Sequence, residues 1–202
     1  SIALAKLSRT IERVVISTDS KRYAKLAIEF GAEVPFLRPT EISGDSAIDR
    51  EFFLHTINWF QENEKSVPEY LVHLRPTTPL RMPEIVDQAI NQIIADQSAT
   101  SLRSAHKSPE SPAKWFRRDN NGNFVGLLEE GDNVESFNLP KEEFSDVYIP
   151  NGYVDVVRSS HILHNDTLYG RRILGFETTP CTEVDSQGEL AYIQYQLHRQ
   201  GS

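Results

Sequence analysis

Residues 70–81, Tyr-Leu-Val-His-Leu-Arg-Pro-Thr-Thr-Pro-Leu-Arg, place several chemically useful side chains directly after an apolar run. Such a run is typical of a buried strand in an α/β sheet, and ligands of these sheets bind beyond the carboxyl ends of the strands. The hydroxyls of Thr77 and Thr78 and the positive charges of Arg75 and Arg81 suit a phosphorylated or carboxylated ligand. The segment alone is equally compatible with a rigid turn that carries a solvated arginine.

Glu183 and Asp185 form the second candidate site. They alternate along an extended backbone, so their side chains lie on the same side of it. Two neighbouring carboxylates tend to bind a hard divalent cation, and Mg²⁺ is commonly held by one or two carboxylates together with substrate phosphates. A solvated acidic turn is the alternative interpretation, because this spacing is common.

Two further loops offer polar groups. Arg38 and Asp45 precede an amphipathic segment, where the arginine could donate to a phosphate or a carbonyl. Asp45 or Ser46 could instead only cap the following helix. Asn151 and Gly152 form a bend before a strand, where glycine permits close backbone approach and the amide could contact a sugar. An ordinary turn would have the same sequence.

The composition excludes several classes of protein. A formal net charge of −8 without a Lys/Arg cluster argues against nucleic-acid binding. No apolar run approaches the roughly 20 residues of a membrane span, and the single cysteine, Cys181, is typical of a reducing cytoplasm. An acidic protein that binds an anionic substrate needs local arginines or a divalent metal. The histidines and the cysteine show neither a zinc pattern nor a nucleophile motif.

Hydrophobic periodicity predicts alternating strands and helices across the 202 residues. Strands are expected at 13–19, 70–74, 99–104, 153–157 and 173–176, and helices at 2–7, 21–30, 49–63, 83 to about 96 and 190–197. This order predicts a single α/β domain with a Rossmann-like, mostly parallel sheet. Residues 106–150 differ in composition and are expected to form an insertion or dimerisation arm, with a hairpin turn at Asn120-Asn-Gly122.

Taken in order, five segments resemble motifs of the acylneuraminate cytidylyltransferases, the CMP-sialic acid synthetase family. The segments are Ile16–Asp19, Glu33–Arg38 with Pro39, Ile42, Asp45 and Ala47, Leu71–Arg81, Pro150–Gly152, and Glu183–Asp185. Their common order and spacing make the resemblance far more specific than any single motif. It covers nearly the whole chain and implies the nucleotide-diphospho-sugar transferase form of the Rossmann-like fold.

The resemblance implies a reaction in which CTP and a nine-carbon α-keto acid sugar give a CMP-sugar and pyrophosphate. It assigns the metal, Mg²⁺, to Glu183 and Asp185, which together with Arg75 form the expected catalytic group. The cytidine nucleotide is expected at Ser17, Asp19, Arg38, Asp45, Ala47 and Asp49, and the sugar at Arg75, Thr77, Thr78, Asn151 and Gly152. Such enzymes are typically cytoplasmic homodimers.

The chain also departs from the family pattern. It begins in mid-helix, without the first strand and the phosphate-binding loop of the family, so we expect a truncated fragment of a longer protein. Arg75 replaces a glutamine, Ile149 an arginine and Glu183 an aspartate. Because several changes fall on the sugar side, a legionaminic- or pseudaminic-type acid is a plausible acceptor. Substitution of Arg75 by Gln should then mainly raise the KM for the sugar.

Two alternatives stay open at this point. One is another sugar nucleotidyltransferase of the same fold, such as a ketodeoxyoctulosonate cytidylyltransferase, although the Q-G-D-E-P segment of that group is replaced by Arg75–Pro79. The other is a catalytically degenerate homologue that binds nucleotide or sugar, which the absent phosphate-binding loop favours and the retained acidic pair argues against.

Overall fold

The structure is a computed structural model that describes residues 1–128 and 136–200. Its helices and strands, in chain order, are α1 (Ile2–Leu7), α2 (Lys21–Glu29), α3 (Asp49–Asn63), β1 (Tyr70–His73), α4 (Pro83–Ala95), β2 (Ser101–Lys107), β3 (Phe116–Arg118), β4 (Phe124–Gly126), β5 (Tyr148–Arg158), α5 (Ser159–His164), β6 (Ile173–Glu177) and α6 (Gln187–Gln200). Short 3₁₀ helices cover Thr40–Ile42, Pro112–Lys114, Ser136–Asn138 and Lys141–Glu143. Within the described ranges, no helix is long and apolar enough to cross a membrane.

A four-stranded sheet in the order β1-β5-β2-β6 forms the centre of the fold. Strands β1, β2 and β6 run in the same direction, whereas β5 is antiparallel to both of its neighbours. The predicted α/β class is therefore confirmed, and the sheet is mixed. The pairing of β2 with β5 shifts register between Arg103 and Ala105, opposite the bend at the start of β5.

The main core lies between α4 and the sheet. Proline at the first position of α4 needs no N–H partner, and the apolar residues that follow recur every three or four positions, which places them on one face. This face buries Val86, Ile90 and Ile93 against Leu102 and Val156. Each such side chain contributes about 1.5–3 kcal/mol when it is fully buried.

A second core cluster places α3 against the sheet. Phe53 and Ile57 of α3 pack with Val157 and Ile162. The helix spans Asp49–Asn63, the range that its periodicity predicted. Its start is stabilised by Glu51, whose Oε2 accepts a hydrogen bond from the Ile48 N–H at 3.1 Å. Neither Asp45 nor Ser46 is the residue that caps this helix.

The predicted strand at 13–19 is wrong as an element of the sheet. Ile16 N–H donates to the Glu33 carbonyl at 2.9 Å and Glu33 N–H to the Val14 carbonyl at 2.8 Å, which makes one isolated parallel bridge, Val15 with Glu33. A strand needs a longer ladder than this. The hairpin predicted near Asn120 is confirmed, since β3 and β4 pair across a turn that ends at Gly122, where φ is +88°.

The segment between β2 and β5 is separate from the main sheet. Because β2 extends to Lys107 and β5 begins at Tyr148, the observed insertion spans residues 108–147. It contains the β3–β4 hairpin as its own two-stranded sheet. Part of it, residues 129–135, lies outside the described ranges.

Candidate active site

Hydrogen bonds from Arg81 connect the loop after β1 to β5. This side chain is buried, and its guanidinium donates to the carbonyls of Arg75 at 2.8 Å and Gly152 at 2.9 Å, and to that of Tyr153. Burial lowers the pKa of Arg81 to about 10, so it stays charged at neutral pH. The prediction that Arg81 offers charge to a ligand is therefore wrong, because its donors serve backbone carbonyls. These hydrogen bonds hold the loop that contains Arg75 against the bend at Gly152.

Four predicted site residues meet at Gly152. Its φ is +60°, a conformation that disfavours residues with a Cβ. A Cβ added there would lie 3.1 Å from Arg75 Cδ, 3.2 Å from Glu183 Oε1 and 3.4 Å from Thr78 Oγ1. Glycine is required both by the backbone conformation and by the space. Residues far apart in sequence are thereby brought into one group of neighbours, the Gly152 cluster.

The acidic segment lies alongside the same loop. Val184 N–H donates to the Thr77 carbonyl at 2.8 Å, which fixes the backbone between Glu183 and Asp185. Glu183 is half-buried and Asp185 is exposed. Burial and the Glu183 carboxylate together raise the pKa of the nearby Cys181 thiol. The segment therefore presents one carboxylate at the Gly152 cluster and a second one towards solvent.

The donor set has the chemistry of a magnesium site that substrate completes. Within the described ranges, no three or more His, Cys, Asp or Glu side chains gather into a group that could hold a metal. Glu183 and Asp185 supply two hard oxygen ligands, and Mg²⁺ takes its remaining ligands from water and phosphate in sites of this kind. The two residues fit the ion in that restricted sense.

Thr78 and Asn151 have different surroundings. Thr78 is fully buried beside Gly152, and its Oγ1 has no hydrogen-bond partner in the part of the chain that the structure describes. The Asn151 amide is engaged: its Nδ2 donates to Thr178 Oγ1 at 2.7 Å and its Oδ1 accepts from Tyr153 N–H at 3.2 Å. The observed contacts of Asn151 hold the bend, and a direct sugar contact stays a prediction.

A charged cluster that sequence reasoning missed adjoins Arg75. Asp155 of β5 is 2% exposed, and its carboxylate lies 3.4 Å from Arg103 Nε, 3.2 Å from the Tyr169 hydroxyl and 4.0 Å from Arg75 Nη2. Arg75 also forms an ion pair with Asp49, the first residue of α3. Asp155 interrupts an otherwise apolar strand. Because a buried charge needs partners, that interruption is the signal that could have revealed the cluster.

His73 lies beneath the Arg75–Asp49 pair. Its ring contacts those of Phe52 and Phe53, with centroids 5.3 and 5.4 Å away, and Nδ1 is 4.0 Å from Asp49. Burial and the neighbouring Arg75 lower the pKa of His73 to about 4. The imidazole is therefore neutral at physiological pH, and the net charge of the surrounding cluster is set by its carboxylates and guanidinium groups.

The residues expected at the nucleotide are only partly gathered. Arg38 donates from Nη2 to the Ser17 carbonyl at 3.0 Å, and its guanidinium lies 5.4 Å from the centre of the Phe52 ring. Phe52 links this pair to His73 and so to the main cluster. Asp19 and Asp45 are exposed, and Ala47 is half-buried. Asp49, expected at the nucleotide, instead contacts Arg75, which was expected at the sugar.

Comparison with known proteins identifies the relatives of this chain. A family model described as "Cytidylyltransferase" matches residues 1–172. The CMP-N,N'-diacetyllegionaminic acid synthase of Legionella pneumophila is 27% identical over 171 residues, which cover 84% of this chain and 69% of that protein. The N-acylneuraminate cytidylyltransferase of Escherichia coli is 25% identical over 209 residues, covering 99% of this chain and 46% of the relative. The chain thus spans less than half of the latter protein.

Solved structures share the fold. The structure of a CMP:2-keto-3-deoxy-manno-octonic acid synthetase complexed with CTP superposes with a TM-score of 0.66 at 12% identity, over 98% of this chain and 85% of the other. A 4-diphosphocytidyl-2C-methyl-D-erythritol synthase from Anaerococcus prevotii gives a TM-score of 0.59 at 8% identity, over 98% and 88%. At such identities the likeness concerns the fold alone.

Proposed function

This chain belongs to the cytidylyltransferase family, and on that premise we propose that it transfers CMP from CTP to a nonulosonic acid, with release of pyrophosphate. The observation that carries the proposal is the convergence of Arg75, Thr78 and Glu183 around Gly152. A cation for an acid substrate, an unpaired buried hydroxyl and a metal-type carboxylate then lie side by side. Relatives named for sialic, legionaminic and pseudaminic acids support this acceptor class.

The acceptor is proposed to bind at Arg75. The Arg75 side chain is about one-third exposed (32%), so it is accessible to a carboxylate from solvent, and it is paired with the equally exposed Asp49 (31%). Guanidinium groups bind carboxylates through paired N–H donors. The contact between Thr78 and the sugar stays a prediction, because the Thr78 side chain is fully buried. Gly152 lets the side chains of Arg75 and Glu183 approach the backbone closely.

The reaction is proposed to proceed by in-line attack. The anomeric hydroxyl of the acid forms a bond to the α-phosphorus of CTP, the bond from that phosphorus to the bridging oxygen breaks, and pyrophosphate leaves while the hydroxyl proton passes to solvent. Phosphoryl chemistry of this kind depends on positioning and charge stabilisation. Arg75 orients the acceptor by its carboxylate, and the absence of a side chain at Gly152 lets Arg75 and Glu183 lie close to each other.

Mg²⁺ is the proposed cofactor, held by Glu183 and Asp185. When bound, it would neutralise negative charge on the triphosphate. The protein contributes the backbone hydrogen bond of Val184 to Thr77, which keeps the two carboxylates beside the acceptor loop. Substitution of either carboxylate by its amide should weaken magnesium binding and so raise the magnesium concentration that gives half of the maximal rate.

The nucleotide is proposed to lie towards Arg38 and Ser17. Arg38 Nε and Ser17 Oγ are buried atoms without hydrogen-bond partners in the described ranges, so both are available to a cytosine or ribose. The two residues are already joined through the Ser17 carbonyl. Conversion of Arg38 to Lys should therefore raise the KM for CTP more than the KM for the acid.

Pyrophosphate release tests the proposal. The purified protein is incubated with Mg²⁺, with CTP or UTP, and with a panel of acids: N-acetylneuraminate, a legionaminic-type acid, a pseudaminic-type acid and the eight-carbon ketodeoxyoctulosonate. We expect release with CTP and at least one nine-carbon acid. Release only with ketodeoxyoctulosonate or only with UTP would favour a different sugar nucleotidyltransferase. Binding of CTP or acid without any release would instead indicate a catalytically degenerate homologue.

We further propose a cytoplasmic homodimer in which the insertion at residues 108–147 contributes contacts between subunits. Three aromatic side chains of the insertion, Trp115, Phe116 and Phe124, are 43%, 47% and 74% exposed, which supports an interface in this region. Light scattering during size-exclusion chromatography should give twice the mass of one chain, and Phe124→Ser should reduce it.

A further inference from the structure

A buried carboxylate joins two guanidinium groups at the acceptor side. Asp155 is 2% exposed, whereas the side chains of Arg75 and Arg103 are 32% and 30% exposed. Both Asp155 oxygens are engaged, Oδ1 with Arg103 Nε at 3.4 Å and Oδ2 with the Tyr169 hydroxyl at 3.2 Å. The carboxylate therefore lies behind the two arginines, and the arginines lie between it and solvent.

Each arginine is held by a second contact. Arg75 is paired with Asp49 through Nη2, the same atom that faces Asp155 at 4.0 Å. The Arg103 guanidinium lies 4.2 Å from the centre of the Tyr169 ring, within cation–π distance. Contacts from two directions leave each guanidinium little freedom. Tyr169 also donates to Asp155, so its ring and its hydroxyl serve the same arrangement.

The sheet register explains how the groups meet. Asp155 on β5 faces His73 on β1 on one side and Arg103 on β2 on the other. Three neighbouring strands thus contribute to one row. Because the sheet is packed on both core clusters, the row is more rigid than a loop would be. Arg75 then extends from the end of β1 over this row.

Burial of the Asp155 carboxylate costs free energy, which a structural role alone does not explain. A carboxylate buried in an apolar strand must be compensated by partners, and replacement of such charge clusters by apolar residues often leaves stability unchanged or raises it. The cluster also contains matched charges, Asp49 and Asp155 against Arg75 and Arg103, while His73 is neutral. The Arg75 and Arg103 side chains are both partly exposed, so an incoming carboxylate can reach them and compete with Asp49 for Arg75.

We propose that Asp155 is a positioning residue that fixes Arg75 and Arg103 so that both guanidinium groups bind the carboxylate of the acid acceptor. The inference rests on the proposed function for the identity of the ligand. Asp155 itself does not touch the substrate. The requirement for a carboxylate follows from the two outward cations, so a methyl ester of the same sugar is expected to bind much more weakly.

The test combines binding, kinetics and spectroscopy on Asp155→Asn, which has nearly the same shape as the wild type. Calorimetry measures binding of the acids named above and of N-acetylneuraminate methyl ester. Steady-state pyrophosphate release gives separate KM values for acid and CTP. Arginine Nε–H signals in ¹⁵N-labelled protein report whether Arg103 keeps its hydrogen bond. Arg103→Gln is the second variant, and Glu69→Gln, which removes the carboxylate partner of Arg158 at the far end of β5, is the matched control.

We expect Asp155→Asn and Arg103→Gln each to raise the KM and the dissociation constant for the acid about tenfold, with the KM for CTP changed less than about twofold. The Arg103 Nε–H signal should shift in Asp155→Asn. Glu69→Gln should change none of these values.

Five results would be decisive. Equal effects on the KM values for acid and CTP, or an unchanged Arg103 signal, would overturn the positioning role. Equal binding of the acid and its methyl ester would overturn the carboxylate contact. Acid binding that Asp155→Asn weakens, without pyrophosphate release by the wild type, would refute the proposed function and keep the inference. Failure of the wild type to bind any acid would overturn both.

Discussion

Substitution of Gly152 by Ala tests whether the Gly152 cluster belongs to the active site. The added Cβ would lie 3.1 Å from Arg75 Cδ, 3.2 Å from Glu183 Oε1 and 3.4 Å from Thr78 Oγ1. Contacts of this length require the neighbours to move by a few tenths of an ångström. Two of these neighbours are flexible side chains, so the variant should fold while its site is distorted.

Two contributions determine how much stability Gly152→Ala is expected to lose. The left-handed backbone, with φ at +60°, costs about 1–2 kcal/mol for a residue with a Cβ. Crowding of a packed site adds about 1 kcal/mol, the lower end for overpacking. The free energy of unfolding should therefore fall by about 2–3 kcal/mol. Since displacement by 1 Å can reduce a rate by about two orders of magnitude, a shift of a few tenths should lower kcat/KM by about tenfold.

Urea denaturation followed by tryptophan fluorescence gives the stability, and pyrophosphate release gives kcat/KM. Two glycines serve as controls. Gly122→Ala carries the same kind of backbone cost, φ +88°, with no atom nearer than 3.6 Å, so it should lose stability and keep activity. Gly175→Ala meets no atom within 4 Å and should change neither. Full activity in Gly152→Ala, with a stability loss like that of Gly122→Ala, would refute the assignment of the site.

Three further predictions concern stability. The pKa of His73 in the folded protein, about 4, lies below its value in the unfolded chain, so the unfolded chain binds the extra proton. The free energy of unfolding should therefore fall by at most about 3 kcal/mol as the pH drops from 6.5 to 4. In urea denaturation over a series of pH values, His73→Gln should flatten this part of the curve. Burial raises the pKa of Asp87, but hydrogen bonds from Ser8 and Thr10 outweigh it and lower this pKa to about 2. Asp87→Asn should therefore lower the free energy of unfolding by about 1–2 kcal/mol at pH 7. The variant should also lose less stability than the wild type between pH 4 and 2. In Arg81→Lys, the ammonium group cannot reproduce the three hydrogen bonds that the planar guanidinium makes. The free energy of unfolding, measured with heat or urea, should fall by about 3 kcal/mol. A loss below about 1 kcal/mol would contradict the role of Arg81 in joining the loop to β5.

Much of the fold was predictable because its signals are local. The range of α3 and the buried face of α4 follow from hydrophobic periodicity, which depends on neighbouring residues only. The direction of β5 could not be read in this way, because an apolar strand has the same composition in either direction. The segment at 13–19 looks like a strand for the same reason, but strand formation depends on partners that its own residues do not determine.

The proximity of several predicted site residues was foreseen, their role in binding stays a prediction, and the charged cluster beside them was missed. Motif order brought Arg75, Gly152 and Glu183 together correctly, since residues at strand ends meet at one edge of a sheet. Arg81 was misassigned because a sequence does not show whether an arginine faces solvent or backbone carbonyls. Asp155 was read as part of an apolar strand, although a lone carboxylate there requires buried partners. The pairing of charges across strands depends on register, which only the folded structure supplies.

Identification of the product tests the central proposal most directly. The protein is incubated with CTP, Mg²⁺ and an equimolar mixture of the nine-carbon acids and ketodeoxyoctulosonate, and the nucleotide products are resolved by mass spectrometry. We predict a CMP conjugate of a nine-carbon acid in excess over any conjugate of ketodeoxyoctulosonate, and its loss in Arg75→Ala. A dominant conjugate of the eight-carbon acid, or the same product profile from Arg75→Ala, would contradict the account.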